Sequence, residues 1–130
     1  LQAEDQQLAH ALARLLGDLG IPEVMVWKKN SRVCFITLFS LGVAQWKIPI
    51  NDASWGYLWM WAENQVLAAI KLVPIGQTSG QKILSSAIEI IPKLVSTGLS
   101  LKDEDIGYTA PGQGIASALH ETQYTRIFRS

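Results

Sequence analysis

Apolar residues in this chain recur mostly three and four positions apart, and the alternation typical of half-buried strands is absent. The spacing predicts five helices, over about 3–16, from a Ser31 cap through Gln45, over about 52–72, from about Thr78, and from Pro111. The one candidate strand is VMVW at 24–27, in a segment that is either extended or a loop. We therefore predict an all-α fold, a compact helical bundle with short connections.

The third predicted helix, about 52–72, is apolar on two sides. Asn51 is a candidate N-cap, and Ile50 with Trp55 is placed for a hydrophobic staple. One stripe comprises Trp55, Leu58, Trp59, Ala62, Val66, Ala69, Ile70 and Val73, and the other comprises Tyr57, Met60, Trp61, Leu67 and Ala68. A helix apolar on both sides is usually buried, so we expect this helix to be central, with Trp59 in the core.

Two prolines in the second half of the chain lie where a helix is predicted to end or to be interrupted. Pro74 is expected to end the central helix, because proline disfavours the helical conformation of the preceding residue. The next helix has its apolar face at Ile83, Leu84, Ala87, Ile88, Ile91, Leu94 and Val95. Pro92 lies inside that pattern and is expected to kink or split the helix. The polar segment 99–110 is predicted to be a connector, with Asp103–Asp105 in solvent.

Composition limits the classes of function. The 130 residues predict a single domain over 1–130, and the opening LQAEDQQ, with five tryptophans to bury, suggests a piece of a longer protein. Eleven basic and eleven acidic residues give zero net charge, which argues against binding nucleic acid or an anionic membrane. No window approaches 18 uninterrupted apolar residues, so no membrane span is expected.

The residues that could carry metal or nucleophile chemistry are few. His10, His120 and the lone Cys34 have no recognised ligand spacing, and no serine or cysteine is marked as a nucleophile. We therefore predict no catalytic residues, no metal site and no cofactor. Cys34 lies in the apolar run VCFITLF, which predicts inert packing and suits a reducing, cytoplasmic compartment.

The stretch VPIGQTSGQK at 73–82 has nearly the composition of a phosphate-binding loop. That loop requires four residues between its glycines and Lys-Ser/Thr directly after the second one. Here three residues separate Gly76 from Gly80, and Gln81 precedes Lys82. The spacing argues against a nucleotide site and indicates that the glycines let two helices turn or approach closely.

Lys71 and the chain end are candidate binding residues. Lys71 shares a helix face with Tyr57, Asn64, Leu67 and Ala68, and it either extends its ammonium group into water or holds a charge for a partner's carboxylate. The end, TQYTRIFRS, combines Tyr124 and Phe128 with Arg126 and Arg129, which are residue types enriched at interfaces. These aromatic residues either pack on their own bundle or dock on a partner.

Two long segments resemble the urease accessory protein F family. They are YLWMWAENQVLAAIKLVPIGQTSGQKIL and PGQGIASALHETQYTRIFRS, and FSLGVAQWKIPINDA fits the same family. The likeness runs from about residue 36 to 130 apart from 96–108, whereas 1–35 match too loosely to transfer anything. Family members are about twice as long, so the resemblance implies that this is the C-terminal part.

The resemblance implies a non-enzymatic, all-helical scaffold of nickel-urease maturation. Family members dimerise, bind the D-type (also called H-type) accessory protein, recruit the G-type GTPase and dock on apo-urease. Lys71 and Gln77 match a helix-end motif whose lysine is implicated in controlling the GTPase. The family's tail, which takes part in assembly, is matched by Glu121, Gln123, Tyr124, Arg126, Phe128 and Arg129. We expect Arg126 to recruit the GTPase and Tyr124 and Phe128 to be apolar anchors.

Two other hypotheses stay open at this point. The first is a nucleotide-binding hydrolase that uses the Gly76–Lys82 segment. The second is a helical fragment that associates with itself through its tryptophan-rich helix.

Overall fold

A computed structural model describes residues 2–27, 33–73, 75–107 and 111–121, with the side chains of 2–4, 113, 117, 120 and 121 excepted. These residues form five α-helices: α1 (Gln2–Asp18), α2 (Phe35–Gln45), α3 (Ile50–Leu72), α4 (Gly76–Ser100) and α5 (Pro111–Glu121). They also form two short 3-10 helices, Pro22–Val26 and Asp103–Asp105, and no strand. The predicted all-α class is confirmed.

The chain divides into two units by its internal contacts. The first comprises Leu1–Lys47 with Gly107–Ser130, and the second comprises Ile48–Ile106. Each unit is described below by itself. The single domain expected over residues 1–130 stays a prediction.

In the first unit, α1 and α2 pack together over a small core. Its buried side chains are Ala9, Ala13, Leu16, Ile21, Val24, Val33 and Leu38, with Leu12, Trp27 and Leu41 partly buried against them. The candidate strand at 24–27 is instead the end of the 3-10 helix Pro22–Val26 with its C-cap, Trp27. The Trp27 N–H donates to the Val24 carbonyl at 2.9 Å. Val24 and Trp27 both turn toward the core. Their separation by three residues is a helical spacing, which explains why no alternation was present.

A side chain from α1 accepts a hydrogen bond from the first backbone N–H of α2. Cys34 occupies the N-cap position in extended conformation and makes no side-chain capping bond. Instead, Asp5 Oδ1 accepts a hydrogen bond from the Phe35 N–H at 3.2 Å. Ser31, the predicted cap, lies outside the described residues. The expectation that Cys34 is packed in the core is wrong, because its neighbour Val33 turns inward and Cys34 is exposed.

The second unit is an antiparallel helical hairpin of α3 and α4. At one end Gly80 of α4 faces Ile70 and Val66 of α3, and at the other end Trp55 lies beside the last turns of α4. α3 ends at Leu72, and Val73 has the extended conformation (φ −121°, ψ 136°) that a following proline favours. Pro74 itself is outside the described residues. Its predicted effect on the end of α3 is confirmed.

Two details of the hairpin differ from expectation. α3 begins at Ile50 with Pro49 as its N-cap, because the Ala53 N–H already donates to the Pro49 carbonyl at 2.9 Å. Asn51 therefore lies inside the helix and does not cap it. α4 begins at Gly76, two residues earlier than predicted, and continues through Pro92 to Ser100. Of the two effects expected of Pro92, a split is therefore absent from α4, and a kink stays a prediction.

The burial of α3 is also lower than predicted. Among the described residues of this helix only Ala53 and Val66 are buried, whereas Trp61 is 57% exposed. α4 covers one side of α3 through Leu84, Ile91 and Val95, which are its buried large side chains. The helix is thus apolar on two sides but packed on one, and its predicted enclosure is not found in the described part of the chain.

Candidate functional site

The turn that joins α3 to α4 carries two of the residues singled out in the sequence. Lys71 lies in the last turn of α3 and is exposed, where a positive charge is favoured by the helix dipole. The chain leaves the helix through two hydrogen bonds, from the Val73 N–H to the Ala69 carbonyl at 2.8 Å and from the Ile75 N–H to the Val73 carbonyl at 2.7 Å. These bonds fix the place where α3 stops, directly after Lys71 and Leu72.

Gln77 lies on the other side of the same turn. Gly76, the first residue of α4, has φ of +70°, a conformation that glycine adopts readily and that lets the chain reverse. Gln77 follows it and is exposed. The structure therefore brings Lys71 and Gln77 to one end of the hairpin, which we call the turn end and define as residues 71–73 and 75–77.

The turn end also exposes apolar side chains. Leu72 is 66% exposed and Val73 is 50% exposed. Exposed aliphatic side chains beside a hydrogen-bonding cation offer both apolar and polar contacts to a partner protein. Such a surface lacks the convergent polar groups of an enclosed small-molecule site.

Residues 76–82 form helix rather than a phosphate-binding loop. All seven belong to α4, and Gly80 is buried against α3. The element that precedes them is the helix α3, whereas a phosphate-binding loop follows a strand. This geometry argues against the nucleotide-hydrolase hypothesis, and Gly80 lies where the two helices approach closely, as predicted.

The predicted residues of the chain end are only partly placed. α5 begins at Pro111, as predicted, and its Ile115 and Leu119 are each 63% exposed. Glu121 closes α5, and its side chain is outside the description. The remaining tail candidates, Gln123, Tyr124, Arg126, Phe128 and Arg129, lie outside the described residues.

No group of three or more metal-ligating side chains occurs within the described part of the chain. His10 is exposed on α1, and Cys34 is exposed at the start of α2. α4 is long and apolar enough, by length and composition, to cross a membrane. A single helix of this kind is weak support for a span, because the packed helices of other proteins meet the same criteria.

Sequence reasoning missed a cleft at the opposite end of the hairpin from Lys71. It is lined by Asn51, Asp52 and Trp55 of α3 and by Pro92, Val95, Ser96, Leu99 and Ser100 of α4. Trp55 was considered as a partner for Ile50 and as a member of an apolar stripe, and neither role indicated a cleft. The two groups of residues are about 40 positions apart in sequence, and only the antiparallel packing of the helices brings them together.

The described residues thus define an all-α protein in which two of the predicted site residues, Lys71 and Gln77, are exposed at helix ends. A model of the UreF family matches residues 1–88. Similar proteins are the urease accessory protein UreF of Alkalilimnicola ehrlichii, 50% identical over 130 residues, and that of Hahella chejuensis, 40% identical over 127 residues. Urease accessory protein UreF 2 of Brucella anthropi is 40% identical over 130 residues. The chain belongs to the UreF family.

The extent of these matches refines the resemblance. They cover 98–100% of this chain, which spans 57% of the length of each of these three relatives. The comparison with solved structures found no match. The expectation that residues 1–35 carry little family signal is wrong, because the family model begins at residue 1. That segment is rich in leucine and alanine, which many helices share, so a single sequence does not reveal its specificity.

Proposed function

We propose that this chain acts in urease maturation as part of a non-enzymatic scaffold. Its relatives are named as urease accessory proteins. The scaffold binds the D/H-type accessory protein, recruits and regulates the G-type GTPase, and presents both to apo-urease for nickel insertion. In this proposal the chain is the C-terminal part of a longer, cytoplasmic and homodimeric protein, and nickel is cargo rather than a resident cofactor.

The observation that carries this proposal, beside family membership, is the composition of the turn end. Lys71 and Gln77 are exposed on either side of a tight reversal, next to exposed Leu72 and Val73. A rigid helix end of this kind can present one charge to a partner without ordering a loop first, which lowers the entropy cost of association. We assign Lys71 and Gln77 to the surface that acts on the GTPase.

The tail candidates extend the same proposal. Six residues at the chain end take part in assembling the complex: Glu121, Gln123, Tyr124, Arg126, Phe128 and Arg129. Among them, Arg126 recruits the GTPase, and Tyr124 and Phe128 are apolar anchors. Tyrosine, phenylalanine and arginine are suited to this role because aromatic residues and arginine are enriched in interfaces.

A pull-down with purified partners tests the scaffold function. The complete protein that contains this chain is immobilised and offered the D-type accessory protein, the GTPase, or both, with labelled GTP in a separate titration. We expect the partners to be retained together and GTP to bind only when the GTPase is present. Retention of neither partner would refute the scaffold. Self-association that the partners leave unchanged would instead favour the helical-fragment hypothesis.

A further inference from the structure

The end of the hairpin opposite Lys71 contains a cleft whose chemistry is distinct from that of the turn end. We call it the Asp52 cleft and define it by the eight lining residues given above, from the first turns of α3 and the last turns of α4. Its volume is about 480 Å³, and all of its lining residues belong to the second unit. The cleft is therefore a property of one helical hairpin.

The electrostatics of the cleft favour a cation. The exposed Asp52 carboxylate lines the cleft, and no ion pair joins it to another residue of the described chain. The first turn of α3 and the last turn of α4 meet here, so the partial positive charge of the one helix end and the partial negative charge of the other oppose each other. The Asp52 carboxylate adds a full negative charge, and α4 has no basic residue in its last turn. The chain then continues through Lys102 into the acidic 3-10 helix Asp103–Asp105. Lys102 Nζ lies 3.8 Å from Glu104 Oε1.

The turn end of the hairpin carries positively rather than negatively charged side chains. Lys71 closes α3 and Lys82 lies in the second turn of α4, whereas Glu63 and Glu89 are in the middle of their helices. Lys93 follows Pro92 along α4 but does not line the cleft. The charge of the hairpin is thus polarised along its length, with the acidic end at the Asp52 cleft.

The apolar lining of the cleft indicates what kind of cation fits. Trp55 stacks on Trp59 with ring centroids 5.7 Å apart and an interplanar angle of 9°, which holds the indole in one orientation. Tryptophan is the best aromatic partner for a cation, and Pro92 and Leu99 supply aliphatic surface beside it. Arginine combines an aliphatic stem with a planar guanidinium group that stacks on an aromatic ring and donates to a carboxylate.

We propose that the Asp52 cleft binds an arginine side chain presented by a segment of a partner protein. The guanidinium group donates hydrogen bonds to the Asp52 carboxylate and lies against the Trp55 ring, and its stem contacts Pro92 and Leu99. This docking surface lies at the opposite end of the hairpin from Lys71 and Gln77. It therefore holds or fails independently of the proposed function.

The test uses the 130-residue chain and a capped peptide with two arginines separated by one glycine. The control peptide carries citrulline in place of arginine, which keeps the shape and removes the charge. Binding is followed by NMR through the indole N–H signals, with the Trp55 signal assigned by its loss in Trp55→Phe. We expect saturable shifts of the Trp55 signal with the arginine peptide and none with the citrulline peptide.

Two variants with the same change of charge locate the site. Asp52→Asn removes the carboxylate from the cleft, and Glu63→Gln removes one from the exposed middle of the same helix. We expect Asp52→Asn to weaken binding about two- to fivefold, as for an exposed ion pair, and Glu63→Gln to leave it unchanged. Circular dichroism confirms that both variants keep their helix content. No saturable binding, or equal weakening by both variants, would overturn the proposal.

Discussion

Gly80 of α4 faces Ile70 of α3 so closely that a Cβ atom on the glycine would lie 2.5 Å from Ile70 Cδ1. Ile70 Cγ1 and Val66 Cγ1 would each be 3.1 Å away. A side chain at residue 80 would therefore require the end of the Ile70 side chain to move and Val66 to give way by a few tenths of an ångström. The glycine sets the spacing of the hairpin just behind the turn that presents Lys71 and Gln77.

Gly80→Ala is expected to destabilise the chain. Alanine gains about 1 kcal/mol in helix propensity over glycine, but overpacking a tight contact costs about 1–3 kcal/mol. We therefore expect a net loss of about 1 kcal/mol in the free energy of unfolding, measured by urea denaturation. Gly98→Ala is the control, because a Cβ atom there meets nothing within 4 Å and should stabilise the same helix slightly.

The same contact can be tested by a double-mutant cycle. Ile70→Val removes the Cδ1 atom that the new methyl group would meet. Gly80→Ala should then cost less in the Ile70→Val background than in the parent chain. Strictly additive effects of the two substitutions would show that the close approach does not limit residue 80.

Trp59→Ala is expected to destabilise the hairpin moderately. Trp59 is half-buried and stacks on Trp55. The free energy of unfolding should therefore fall by about 2 kcal/mol, less than the 3–5 kcal/mol typical of a fully buried tryptophan. The control is Trp61→Ala on the same helix, where the side chain is 57% exposed. In this variant the free energy of unfolding should change by no more than about 0.5 kcal/mol. Equal losses in both variants, measured by thermal unfolding, would contradict the one-sided packing of α3.

Asp5→Ala should weaken the first unit. It removes the acceptor for the Phe35 N–H at the start of α2, and loss of such a cap costs about 1 kcal/mol. Asp5→Asn retains an acceptor oxygen and should recover most of that loss. Asp18→Ala is the control, since it removes an exposed carboxylate at the end of α1. A loss with Asp18→Ala as large as with Asp5→Ala, in denaturant unfolding, would rule out the capping role.

Lys71→Ala is expected to change function without changing stability. The side chain is exposed at a helix end, so the free energy of unfolding should stay within about 0.5 kcal/mol of the parent value. In the complete protein, the rate of GTP hydrolysis by the bound GTPase should lose its dependence on the scaffold. Lys93→Ala, an exposed lysine in α4, is the matched control and should behave like the parent. Equal hydrolysis rates with both variants would remove Lys71 from the proposed surface.

Arg126→Ala in the complete protein should weaken retention of the GTPase and leave helix content and melting temperature near the parent values. The reason is the proposed role of this guanidinium group as a contact to the partner rather than to its own chain. Pull-down and circular dichroism on the same preparation measure both effects. A large fall in melting temperature would indicate a structural role for the tail instead.

Much of the fold follows from local rules that act within one helix. The period of apolar residues predicted the helices, and Pro74 and Pro111 marked the end of α3 and the start of α5. Two long motifs, which include Lys71 and Gln77, were enough to indicate the UreF family. These features depend on residues close together in sequence, so one sequence reveals them.

The tertiary structure decided which residues meet. The start of α2 is capped by Asp5, which is 30 residues away, and not by a neighbouring side chain. Periodicity gives the direction of an apolar face but not the presence of a partner for it, so α3 was expected to be enclosed although α4 packs on one side only. The Asp52 cleft likewise exists only because two distant helix ends lie side by side in an antiparallel hairpin.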